Sequence, residues 1–131
     1  MVYQDIYKRA LDLMFETDSS DYRTVAPGQL VILLQETVGA NDTIRLAKGK
    51  EPLEAPVTLE LTDEVEWEPE LATAALAYGL AEKFAYDDDD MSKISYFHTL
   101  YVTAVNAASR AVPGDIIDVY DEEAEDCLEA N

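Results

Sequence analysis

The stretch from Glu68 to Pro113 most constrains what this chain can fold into. It reads as two helices joined by four aspartates: EPELATAALAYGLAEKFAY, DDDD and MSKISYFHTLYVTAVNAASRAV. Pro69 directly follows Glu68, and its missing N–H is harmless at a first helical position. Leu71, Ala75, Tyr78 and the pair Ala81/Glu82 trace one stripe, with Leu76, Leu80 and Phe84 beside it. That is a wide apolar face at helical spacing. Met91, Ile94, Phe97, Tyr101, Ala104, Val105 and Ala108 repeat the pattern in the second segment, and Val112-Pro113-Gly114 stops it. Such helices are stable only by packing an amphipathic face, and a short connection makes them antiparallel neighbours. The expected fold class is therefore mainly α: a small helical bundle built on a long helical hairpin, with an extended loop or arm and an acidic C-terminal tail.

The rest of the chain is expected to pack on that hairpin or project from it. Residues 2–16 predict a first helix, with Tyr3, Ile6, Tyr7, Ala10, Leu11 and Met14 on one face. Asp5 and Arg9 are spaced for a weak surface ion pair, worth roughly 0.2–0.5 kcal/mol. The polar break Thr17 to Asp21 offers several N-caps. A second helix is expected from about Tyr22 to Val38, interrupted at Pro27-Gly28 and ended by Gly39, with Asn41 capping a short further turn. Residues 49–67 change character: Pro52 and Pro56 forbid a regular helix, and Val57 to Thr62 alternates apolar and polar. This reads as a long loop or arm of extended character, a kind that is usually functional. The division is a helical domain over 1–114, carrying the arm at 49–67, and an acidic docking tail over 115–131.

The chain has 131 residues, which suits one domain, and 28 acidic against 9 basic residues give a net charge of −19. Such a balance opposes binding to a phosphate backbone, which needs clustered Lys and Arg. It suits a surface that DNA passes without sticking, or one that docks on a basic partner. A single cysteine, Cys127, excludes an internal disulfide framework. The N-terminus is amphipathic rather than signal-like, and the longest apolar run, Leu30 to Leu34, is too short to span a membrane.

No catalytic frame emerges. Asp87 to Asp90 lacks the alternate ligands, the glycine and the distal Glu of an EF-hand loop. The expectation there is a turn whose last aspartate caps the next helix. His98, the only histidine, reads as a partly buried, hydrogen-bonded side chain, and Cys127 sits in an acidic setting that disfavours a thiolate. The carboxylate pairs Glu64/Glu66, Glu68/Glu70 and Glu122/Glu123 follow from composition alone. The expectation is no enzyme, no cofactor and no metal.

Taken as an ordered set, several stretches carry a resemblance: YQDIYKRALDLM; DYRTVAPGQLVILLQE; RLAKGKEPLEAPVTLELTDEVEWEPEL; ALAYGLAEKFAYDDDDMSKISYFHTLYVTAVNAA; and IIDVYD. In order and spacing, over about residues 3–121, the chain resembles the head–tail connector (adaptor) proteins of long-tailed bacteriophages. The resemblance implies a structural virion protein, made in the host cytoplasm and located in the neck at the head–tail interface. Such proteins form a ring, usually of twelve copies, under the portal protein, and join the DNA-filled capsid to the tail. The genome passes through the channel without sequence-specific binding, and a next neck or tail-completion protein follows. On this reading Ile116, Ile117, Val119 and Tyr120 dock on the portal, while Leu53, Val57, Leu59, Leu61 and Trp67 on the arm reach a neighbouring copy. The acidic extension after Asp121 departs from the typical tail piece. A reading from another class is an acidic DNA mimic that occupies the site of a DNA-binding protein. A third, supported only by the abundance of acids, is a small metal-dependent enzyme.

Overall fold

The computed structural model describes residues 1–110, and among these it has five helices around one core. Helix α1, Tyr3–Met14, buries Tyr3, Ile6, Tyr7, Ala10, Leu11 and Met14, the face its periodicity predicts. The N–H groups of Tyr3 and Gln4 donate to the carbonyls of Asp63 and Leu61 at 3.1 and 2.9 Å. The open end of α1 is thus satisfied by a segment far along the chain. The expected Asp5–Arg9 pair does not form. Asp5 accepts from the Val2 N–H at 3.0 Å, while Arg9 donates to the Thr73 carbonyl. A fixed backbone donor at a helix start outcompetes an exposed ion pair.

Helix α2, Ser20–Ala47, corrects the expected interruption, because it runs unbroken through Pro27, Gly28 and Gly39. Ser19 caps it by accepting from the Tyr22 N–H at 3.3 Å. Pro27 removes one intrahelical bond, to the carbonyl of Arg23. Arg23, Thr24 and Val25 are exposed, so water can serve that carbonyl. Ala26, Leu30, Leu33, Leu34, Thr37, Asn41 and Ile44 form one continuous buried stripe, and this tertiary packing overrides the local breakers. Gly39 faces open space and disturbs nothing.

The helix expected from Glu68 onward is split. A single turn, α3 (Pro69–Ala72), is followed by Thr73 and Ala74, and then by α4, Ala75–Asp87. The Thr73 hydroxyl donates back to the Pro69 carbonyl, and the Thr73 carbonyl is taken by Arg9. Both interactions draw the backbone out of the helical ladder. Helix α5, Met91–Arg110, follows after three aspartates and packs along α4 more extensively than any other helix pair. Its buried residues are Ile94, Phe97 and Ala108, with Tyr101, Ala104 and Val105 half-buried. Met91, expected on the apolar stripe, is exposed at the first turn of α5. Gly79 lets α2, α4 and α5 approach: a Cβ there would collide with Leu33 Cδ1 and lie 2.9 Å from the Tyr101 ring. The molecule is a mainly α helical bundle, and the stop at Val112-Pro113-Gly114 lies outside the described residues.

Candidate functional site

The loop between α2 and α3 carries most of the polar chemistry. At the end of α2, Gly49 adopts a left-handed φ of 79°, and Lys50 N–H returns to the Arg45 carbonyl at 2.8 Å. This turn puts Arg45, Lys48 and Lys50 beside Glu68. Their Glu68 distances are 3.0, 2.9 and 3.2 Å, and the Glu68 side chain is only 3 % exposed. Lys48 also pairs with Glu70 at 2.8 Å. Burial pushes the Glu68 carboxyl up, but Lys48 and Lys50 outweigh it and hold the group below its ordinary range. Glu70 and then Glu68 hold the Lys48 ammonium above its own. The backbone is fixed next to this clasp. Glu68 N–H donates to Asn41 Oδ1 at 2.8 Å, and the buried Trp67 indole N–H donates to Thr37 Oγ1 at 2.9 Å. Asn41 Nδ2 is buried with no partner among the described residues.

Upstream in the same loop the charge pattern reverses. A cavity of about 350 Å³ opens between the start of α1 and the loop, walled by Tyr3, Glu54, Asp63, Glu64, Glu66 and Trp67. Asp63 accepts from the Glu60 N–H at 2.9 Å, and Glu64 lies 3.6 Å from the N-terminal amine. Among the described residues, no Lys or Arg pairs with any of these four carboxylates. Tyr3 is 4 % exposed. Burial, then the Glu66 and Asp63 carboxylates, push its hydroxyl up to about 12. These carboxylates do not converge closely enough to form a metal-ligand group.

The aspartate run behaves as a turn. Asp89 takes a left-handed φ of 56°, and Asp90 caps α5 by accepting from the Lys93 N–H at 3.2 Å. Asp88 accepts from the Tyr22 hydroxyl at 2.6 Å and Asp87 from Gln29 at 3.1 Å, which ties the turn to α2. His98 is hydrogen-bonded to Glu82 at 2.9 Å, but its side chain is 59 % exposed rather than partly buried. It lies on the outward side of α5. That helix has no Asp or Glu in its 20 residues. Its outward surface is instead Ser, Thr and Asn with Tyr96 and Val102, and Tyr96 shares a shallow cavity with Phe15 of the α1 terminus. Phe15 is 95 % exposed at a left-handed φ of 58°, an unusual conformation for a bulky side chain.

Of the proposed arm residues, Leu61 and Trp67 are buried in the chain's own core, and Leu53 and Leu59 are half-buried against it. Val57 is 80 % exposed. The loop folds back on the bundle instead of standing away from it. The proposed docking residues Ile116, Ile117, Val119 and Tyr120 lie outside the described residues. Neither the Glu68 clasp nor the Tyr3 cavity is evident from periodicity. The one local signal is that Arg45, Lys48 and Lys50 place a third of the nine basic residues within six positions. No helix among the described residues is long and apolar enough to cross a membrane. No family model matches the chain, and neither a curated protein nor a solved structure is similar to it.

Proposed function

We propose that this protein is a head–tail connector of a long-tailed bacteriophage, forming a ring of copies under the portal protein through which the genome passes. The ordered sequence resemblance suggests the class, and the surface of α5 is the observation that carries the reading to assembly. In a chain of net charge −19, two copies repel wherever carboxylates face each other. Helix α5 is free of carboxylates over Met91–Arg110 and, with Phe15, exposes Tyr96 and Val102. Lateral packing through this surface avoids like-charge contact. In a ring the contact is heterologous and closes by rotation. The acids elsewhere suit a channel along which DNA slides.

Light scattering of the full chain across a concentration series, alone and with a candidate portal protein, tests this. A large species of defined mass, in either sample, is the expected result. Tyr96→Glu with Val102→Glu should abolish it while leaving the helical content intact. Removing residues 115–131 should weaken the portal complex if Ile116 to Tyr120 dock there. A small species that ignores the portal but binds a basic DNA-binding protein would overturn the connector reading in favour of the DNA mimic.

A further inference from the structure

We propose that the α5 surface around Phe15 docks on a second copy of this chain, with Phe15 seated in the apolar groove between α2 and the loop at Val57 to Leu59. The inference rests on the ring reading and deepens it. A heterologous contact joins two different patches, so the α5 surface needs a counterpart elsewhere on the next copy. The groove holds about 270 Å³ and is walled by Pro27, Gly28, Val31, Val57, Thr58 and Leu59. None of these is charged, and α2 carries no charged residue from Thr24 to Gln35. Val25 and Ile32, exposed about one turn to either side of Gly28, extend the apolar surface. A cavity of roughly 150 Å³ already takes a benzene ring, so this groove admits one phenylalanine side chain.

Three features that the isolated fold does not explain are explained together by this contact. Phe15 is 95 % exposed and takes the left-handed φ that ends α1, a position glycine ordinarily fills. Gly28 stands inside α2, where glycine weakens a helix, yet a Cβ there would meet nothing within 4 Å. Packing within the chain gives no reason for the missing side chain, while an aromatic ring resting on that spot does. Val57, on the loop wall of the groove, is 80 % exposed. The charges agree with the apolar match. Beside Phe15, Arg9 and Lys93 donate to the carbonyls of Thr73 and Met14 and have no carboxylate partner among the described residues. Asp12 and Glu16 lie close by, so this surface is balanced rather than acidic, and α5 adds no acid to it. The groove shares Thr58 and Leu59 with the cavity walled by Glu54, Asp63, Glu64 and Glu66. Docking the two surfaces sets cations without acids toward acids without cations, in a chain whose copies otherwise repel.

Phe15→Gly and Gly28→Leu are compared with the full wild-type chain by light scattering across a concentration series, alone and with a candidate portal protein. Each substitution should leave the thermal unfolding midpoint of the small species unchanged or raised, because glycine suits the left-handed position and leucine suits a helix. Each should raise the concentration needed for the large species about tenfold or more. Val57→Arg, at an exposed loop position, blocks the groove without touching α2 and should act like Gly28→Leu. An equimolar mixture decides the pairing. The Phe15→Gly copy keeps its groove and the Gly28→Leu copy keeps its phenylalanine, so the mixture should form pairs and nothing larger. Assembly of either variant at the wild-type concentration, or a mixture that yields no pairs, would overturn this contact and leave the ring reading standing. A Gly28→Leu chain that self-assembles like wild type but no longer binds the portal would give the groove to the portal and overturn the second copy as its occupant. No large species from wild type in either sample would overturn the ring reading and this contact with it.

Discussion

The two ends of the loop between α2 and α3 hold the same side chain in opposite surroundings. Glu68 is buried among Arg45, Lys48 and Lys50. Glu54 and Glu66, earlier in the loop, line a cavity with two further carboxylates and no Lys or Arg partner among the described residues. At Glu68 the cost of removing a charge from water is offset by short, partly shielded ion pairs and by the fixed backbone around them. At the cavity the carboxylates stay hydrated and repel one another. Neutralising a carboxylate should therefore have opposite effects at the two ends, although the two sites share one loop.

The largest expected effect is at the clasp. Glu68→Gln keeps shape but leaves three cations without their common acceptor. It should cost about 3 kcal/mol, at the low end for a broken buried pair because Lys50 is half exposed. Urea unfolding checks this, and a loss below about 1 kcal/mol would reduce the clasp to ordinary surface pairing. Acid should produce the same loss in the native chain. The folded carboxyl of Glu68 is held below the ordinary 4.5 of the unfolded chain. Its contribution is therefore complete above pH 4.5 and falls as pH drops through the depressed folded value. Thermal unfolding of wild type and Glu68→Gln between pH 7 and pH 3 should show two curves converging in acid. A gap that persists at pH 3 would mean that packing, rather than charge, carries the difference.

A smaller effect separates the anchoring of the clasp from its charge. Thr37→Val removes the acceptor of the buried Trp67 indole N–H. The expected cost is about 1–2 kcal/mol. It should be independent of salt, whereas the Glu68 effect should shrink somewhat as Lys50 is screened. Equal salt dependence in both variants would merge the two into one electrostatic effect.

What was legible in the sequence is what is local. The whole buried face of α1 follows from its spacing, and the Asp90 cap follows from an acidic turn before an apolar helix. Pro27 and Gly39 are local signals too, but they mislead, because the stop they suggest is overridden by the buried stripe Ala26 to Ile44. The split at Thr73 depends on Arg9, 64 residues away. The clasp joins Glu68 to partners 18 to 23 residues earlier, through a loop whose path no periodicity encodes. The alternation of Val57 to Thr62 predicts an extended arm, and the resemblance implies that this arm reaches a neighbouring copy. Instead the bundle offers those residues a closer partner, since Leu61 presents its carbonyl to the open N-terminus of α1 while its side chain enters the core.

The smallest expected change is the most discriminating. Glu54→Gln with Glu66→Gln should leave stability within about 0.5 kcal/mol of wild type, neutral or slightly stabilised, because surface charges away from partners contribute little and these repel their neighbours. Any gain should appear at low salt and vanish as screening sets in. This is the same carboxylate-to-amide exchange that costs about 3 kcal/mol at Glu68, so the pair of measurements isolates surroundings from chemistry. A stability loss comparable to that at Glu68 would show that the cavity carboxylates hold the loop in place. Near-neutrality would instead show that these carboxylates contribute nothing to the stability of the fold.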